Sequence, residues 1–258
     1  MAYFDSNGVQ IHFEEQGSGE AVVLVHGFAS RAEHNWAGDW IPKLAQHYRV
    51  VTLDCRGHGQ SGKPHDPAAY AGETMGDDVI RLLDHLGIKR ALIMGYSMGG
   101  RIVTGLLMSH PERLRAAVLG GIGAATGATV AFNRKPIVDA LLAENVSAIT
   151  NPVAKQFRQF AESTGNDLKA LAACMGSDRP DLTADQIAAK KIRVPVMIVI
   201  GTQDLMVGDP KLLRDAIPGS KLVTLEGRDH LTAPFDPLYV KAVVEFFQIR
   251  AGVSDRVS

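Results

Sequence analysis

Three residues of this 258-residue chain carry side chains suited to acyl transfer, and each follows a short apolar run: Ser97 after Ala91–Tyr96, Asp204 after Pro195–Ile200, and His230 after Lys221–Leu225. A serine hydroxyl is a weak nucleophile until a base takes its proton. A histidine can be that base, and a carboxylate can hold the imidazole in the useful tautomer and stabilise its cation. Ser97 stands in Gly95-Tyr-Ser-Met-Gly99, between a strand-like run and a helix-like one that reaches about Met108. A sharp strand-to-helix turn projects the hydroxyl and leaves no room for bulk two residues to either side, where the glycines stand. The turn also sets Ser97 at a helix N-terminus, where unpaired N–H groups and the dipole favour developing negative charge.

The surrounding elements follow from periodicity and turn chemistry. Phe4–Gln16 reads as a hairpin about Asn7-Gly8, with both strands expected at a sheet edge. Ala21–Val25 is a continuous apolar strand of the kind buried on both faces, and Arg49–Leu53 and Leu114–Leu119 read as further strands. Helices are expected over Trp36–Ala45, despite Pro42, and from a capping Thr74 to Gly87. Strands that alternate with helices imply a mostly parallel twisted sheet with helices on both faces. In such a sheet ligands bind beyond the C-terminal strand ends, where Ser97, Asp204 and His230 all fall.

After Leu119 the alternation stops. Asn151-Pro152 and Asp167 are helix starts, Thr183-Ala-Asp-Gln186 is a capping box, and no convincing strand intervenes. Residues 122–189 are therefore read as a helical cap insertion, and 1–121 with 190–258 as the core. Its Phe157, Phe160 and Met175, together with Trp36 and Met206, are expected to line a modest apolar acyl pocket.

His26-Gly27-Phe28, the Asp54–Ser61 loop, Gly95–Gly100, Gly201–Asp204 and Gly227–His230, taken with the order nucleophile, acid, histidine, resemble the α/β-hydrolase fold across nearly the whole chain. The resemblance implies Ser97 as nucleophile, His230 as general base and acid, and Asp204 as its orienting carboxylate. It implies the main-chain N–H groups of Phe28 and Met98 as oxyanion donors, and neither metal nor organic cofactor. Some relatives place the acid after the strand that ends here at Leu119, but Gly120–Gly127 holds no carboxylate. Asp229 adjoins His230 without a strand-end position, and Ser97 argues against members with an aspartate nucleophile, such as epoxide hydrolases. Hydrolysis of a small carboxylic ester or lactone is the expected reaction. A cofactor-free perhydrolase, a carbon–carbon bond hydrolase or a ligand-sensing protein could carry the same three residues.

His26 and His58 read as loop-shaping residues, and Cys55 lacks the helix start that Ser97 has. Two cysteines, Cys55 and Cys174, make neither a disulfide framework nor a metal-ligand spacing. A formal net charge of -1 supplies no attraction to nucleic acid or an anionic membrane. No apolar run nears the roughly 20 residues that cross a bilayer. The first residues lack a basic segment followed by an apolar one, so a cytoplasmic location is expected. The oligomeric state is not legible in the sequence.

Overall fold

Continuous apolar runs become strands here because one sheet buries both their faces. In the computed structural model, which describes residues 2–125, 133–179 and 182–251, β3 (Ala21–Val25) sends Val22 and Leu24 to one side and Val23 and Val25 to the other. The other strands are β1 (Ala2–Ser6), β2 (Val9–Gln16), β4 (Arg49–Leu53), β5 (Ala91–Tyr96), β6 (Leu114–Gly120), β7 (Val196–Gly201) and β8 (Lys221–Leu225). Their order across the sheet is β1-β2-β4-β3-β5-β6-β7-β8, parallel from β4 to β8.

The hairpin turns at Asn7 and Gly8, whose φ values of 53° and 82° suit the tight turn that matches strand twist. Of its two strands, β1 alone lies at the sheet edge. Contrary to the sequence expectation, β2 pairs with β4 through Phe13–Gln16, and Ile11, His12 and Phe13 are buried.

One face of the sheet is covered by α1 (Ala32–Asn35), α2 (Trp40–Ala45) and α10 (Pro237–Ala251), whose Trp40, Leu44, Tyr239, Val243 and Phe247 are buried there. The helix expected over Trp36–Ala45 is thus two short helices. Gly38, at φ +71°, breaks the path between them, and Trp36 packs edge-on against Trp40. The opposite face carries α3 (Thr74–His85), α4 (Met98–Ser109) and α9 (Pro210–Ala216). Thr74 is the first residue of α3 rather than its cap, because its hydroxyl donates to the Ala71 carbonyl instead of accepting from the helix.

Between β6 and β7 lie α5 (Lys135–Leu142), α6 (Pro152–Ser163), α7 (Leu168–Gly176) and α8 (Ala184–Ala189). The starts read from sequence are present: Asn151 accepts from Ala154 N–H, Asp167 from Lys169 and Ala170 N–H, and Thr183 with Gln186 closes a capping box. Arg158 of α6 donates to the carbonyls of Ala140, Leu141 and Ala143 at the end of α5, where a cation suits the helix dipole. The glycine-rich stretch after Leu119 is described only to Ala125, and the remainder of Gly120–Gly127 lies outside the described residues. Among the described residues, no helix is long and apolar enough to cross a membrane.

Candidate active site

Strand pairing brings the first two parts of the site together. β3 and β5 are neighbours with Val25 opposite Gly95, so the loop at His26–Phe28 and the turn at Tyr96–Met98 leave the sheet side by side. The approach is close enough to require glycine. A Cβ on Gly99 would lie 2.0 Å from the Val25 carbonyl oxygen, and one on Gly95 would lie 2.1 Å from that of Gly99. Ser97 takes φ 53° and ψ −113°, a conformation that L-residues rarely adopt. Its N–H donates to the Gly120 carbonyl at 2.8 Å, which ties the strained turn to β6.

The loops after β7 and β8 bring the other two residues. His230 Nε2 lies 2.9 Å from Ser97 Oγ, and His230 Nδ1 lies 2.7 Å from Asp204 Oδ2. The Asp204 side chain is fully enclosed and that of His230 is 12% exposed, so the carboxylate meets the imidazole with little competition from water. Asp204 Oδ1 also accepts the Met206 N–H at 3.1 Å. Asp229 turns elsewhere. Its Oδ1 accepts from Thr232 Oγ1, Thr232 N–H and Leu231 N–H, and these bonds hold its carboxyl below the usual range while shaping the loop.

Tyr96, which sequence reasoning passed over, fastens this loop. Its hydroxyl donates to the His230 carbonyl at 2.6 Å, and the two rings lie 5.4 Å apart. Burial pushes the Tyr96 hydroxyl well above its ordinary pKa, so it stays protonated and able to donate.

The two residues expected to supply main-chain donors stand in the first loop and at the helix start. Phe28 and Met98 line the same cavity as Ser97, and among the described residues neither N–H has an acceptor in the protein. The Phe28 loop is fixed on several sides. Gly27 N–H donates to Asn35 Oδ1, and Ala29, at φ 57°, offers its carbonyl to Thr164 Oγ1 at 2.7 Å and Asn166 Nδ2 at 2.9 Å. Asn166 is a second residue the sequence did not flag, since nothing local to it marks a contact so distant in the chain.

His26 donates through Nδ1 to the Gly27 carbonyl and accepts the Cys55 N–H at Nε2, so it is neutral, and burial lowers its pKa. His58 is also buried and neutral, its pKa pushed down to about 3 by desolvation; Nδ1 donates to the Arg56 carbonyl. Their rings lie 5.2 Å apart, that of His58 lies 5.6 Å from the Phe28 ring, and neither histidine lines the cavities at Ser97. Cys55 and Cys174 are free and buried, and burial pushes both thiols up, away from the reactive thiolate. Among the described residues, no group of three or more His, Cys, Asp or Glu is placed to hold a metal ion.

Ser97 and His230 stand between two cavities. The first, of about 240 Å³, is lined by Phe28, Met98, Phe157, Met175 and Met206, and also by Arg101, Arg134 and Arg179. The second, of about 220 Å³, is lined by Phe157, Phe160, Met206, Leu231, Pro234 and Phe235. Of the residues expected at a pocket, Trp36 lines neither. It is 2% exposed and packs beneath the sheet against Trp40, because the turn at Gly38 directs it into the core. The arginines were also missed. Arg101 could have been noticed, since it falls one helical turn after Ser97.

The chain matches the alpha/beta hydrolase fold family over residues 20–161. Among curated proteins, bifunctional epoxide hydrolase 2 of Rattus norvegicus is 38% identical over 110 residues, covering 42% of this chain and 20% of that protein, so the match spans about a fifth of that relative's length. Among solved structures, an enol-lactonase from Burkholderia xenovorans aligns with a TM-score of 0.80 at 26% identity, over 96% of this chain and 100% of that one. A hydrolase from Pseudomonas aeruginosa aligns with a TM-score of 0.79 at 26% identity, over 95% and 97% of the two chains.

Proposed function

The chain belongs to the α/β-hydrolase fold family, and we propose that it is a serine hydrolase that cleaves a small carboxylic ester or lactone through an acyl-enzyme on Ser97. The observation that carries this reading is the unbroken hydrogen-bond line from Ser97 through His230 to the enclosed Asp204, at 2.9 and 2.7 Å. His230 Nε2 takes the Ser97 proton as Oγ attacks the carbonyl, and the new negative charge on oxygen falls to the N–H groups of Phe28 and Met98. The imidazolium, stabilised by Asp204, then protonates the leaving oxygen. Water repeats the sequence to free the acid. The helices of residues 122–189 serve as the cap, with Phe157 bordering both cavities. A serine at the nucleophile position suits acyl transfer and not the aspartyl chemistry of the epoxide hydrolases.

The test is hydrolysis of p-nitrophenyl acetate, butyrate and octanoate by the protein and by Ser97→Ala, with fluorophosphonate labelling of both. Turnover and labelling that are both lost in the variant are the expected result. Labelling without turnover points to a ligand-sensing protein, and the absence of both in a folded sample removes the reading.

A further inference from the structure

The second of the two cavities that meet at Ser97 and His230 has a largely aromatic wall. Rings reach it from three separate parts of the chain: Phe28 and His34 from the segment that follows β3, Phe157 and Phe160 from α6, and Phe235 from the turn before α10. Their contacts are edge to face. Phe28 and Phe157 lie 6.0 Å apart at 60°, and His34 meets Phe160 at 5.5 Å and 68° and Phe235 at 6.2 Å and 89°. The described lining holds no lysine, arginine, aspartate or glutamate. The Tyr96 hydroxyl and Asn35 Oδ1, from two further lining residues, are already engaged, on the His230 carbonyl and the Gly27 N–H. Leu231 and Phe235 are 57% and 52% exposed, so this wall still presents to water apolar surface that a guest would cover.

Size narrows the guest. The cavity measures about 220 Å³. An apolar cavity of about 150 Å³ holds benzene and a water takes up about 30 Å³, so one six-membered ring fills most of the space and leaves room for about two more heavy atoms. A ring among rings also gains from the opposed charge of edge and face, which a saturated group does not. Position relative to the reacting atoms supplies the rest. The wall includes Leu231, Pro234 and Phe235, the chain just beyond His230, which must protonate the leaving oxygen. The alcohol arm therefore runs along this wall.

We propose that the second cavity receives an aromatic alcohol arm of a single ring. This inference rests on the hydrolase reading and narrows it: the substrate is an ester of a phenol or of a benzyl-type alcohol, and Phe160 and Phe235 set the preference for the ring. The ring takes no part in bond making. Ser97 Oγ bonds to the ester carbonyl carbon, the carbon–oxygen bond to the aromatic alcohol breaks, and the Ser97 proton leaves on that alcohol by way of His230. Water then frees the acid from Ser97.

The experiment compares benzyl acetate with cyclohexylmethyl acetate, and ethyl phenylacetate with ethyl acetate, following acid release in the protein and in Ser97→Ala, Phe160→Leu and Phe235→Leu. The first two esters share the acyl group and the bond that breaks, and the saturated ring is the more hydrophobic, so apolar burial alone favours cyclohexylmethyl acetate. Benzyl acetate should nevertheless exceed it in kcat/KM by about two- to tenfold, the worth of an aromatic pair beyond its buried area. That ratio should fall toward one in each leucine variant. A phenylalanine that merely supports the fold would alter both esters alike and leave the ratio unchanged. If one variant fails to fold, the other and the wild-type ratio keep the test valid. A ring on the acyl arm should help less, so ethyl phenylacetate should gain less over ethyl acetate than benzyl acetate does. Equal handling of the two rings, or a larger gain for ethyl phenylacetate, with Ser97-dependent turnover intact, overturns this inference alone. Absence of Ser97-dependent turnover on every ester overturns the hydrolase reading and this inference with it.

Discussion

Asn166, just after α6, donates from Nδ2 to the Ala29 carbonyl at 2.9 Å, one residue beyond Phe28, whose N–H is the proposed oxyanion donor. The same side chain donates to the Ser30 carbonyl at 3.2 Å and accepts the Gly59 N–H at 2.8 Å. A residue of the connection between α6 and α7 thus clamps the loops after β3 and β4 at once. The path of the loop that carries Phe28 is held by chain that lies outside the sheet.

Asn166→Ala should therefore weaken catalysis as well as the fold. It leaves buried main-chain groups with fewer partners, at a cost of about 1–3 kcal/mol. A displaced oxyanion donor should lower kcat about tenfold or more. Steady-state kinetics on p-nitrophenyl butyrate with urea unfolding of the same samples reads both. A folded variant with unchanged kcat would separate the clamp from catalysis.

The two neighbouring carboxylates should behave differently. Asp204→Asn keeps the shape but favours the wrong imidazole tautomer, and a loss in kcat on the order of 10⁴-fold is expected. Asp229→Ala removes only loop hydrogen bonds from Thr232 and Leu231, and its kcat should stay within about tenfold of the parent's. Comparable losses in the two variants would contradict the assignment of the acid.

Two glycines of one helix give an internal contrast. A methyl group on Gly99 would meet the Val25 carbonyl at 2.0 Å, backbone that cannot step aside, whereas one on Gly105 meets nothing within 4 Å. Gly99→Ala should cost more than about 3 kcal/mol or prevent folding. Gly105→Ala should stabilise by about 0.5–1 kcal/mol, the ordinary gain in helix propensity. Thermal melts of the pair test the elbow's packing.

Stability should fall as the solution is acidified. His58 has its pKa pushed down to about 3 by burial, whereas an unfolded histidine titrates near 6.5. The unfolded chain therefore takes the proton first. The stabilisation is complete above about pH 6.5 and is lost as pH falls toward 3, at about 1.4 kcal/mol per unit, or about 2 kcal/mol by pH 5. His26, lowered by the same cause, acts in the same direction. Urea unfolding at about pH 7, 6 and 5 measures the slope, and His58→Gln should reduce it. A flat profile would mean that these histidines are not held neutral in the fold.

Several elements were legible in the sequence because their causes are local. The Asn7-Gly8 turn, the caps at Asn151, Asp167 and Thr183, and the strands at Ala21–Val25, Arg49–Leu53 and Lys221–Leu225 each depend on residues a few positions apart. The one helix misread as continuous failed for an equally local reason, the left-handed Gly38.

By itself, the sequence determined that Ser97, Asp204 and His230 each follow a strand and that glycines flank the serine. It could not determine that β3 lies beside β5, that Trp36 turns into the core, or that Asn166 reaches Ala29 across 137 positions. Nor could it gather Arg101, Arg134 and Arg179 around one cavity. Periodicity and turn chemistry act within a few residues and are written in order along the chain. Strand order and the meeting of distant side chains depend on which buried surfaces fit together, and only the folded chain decides that.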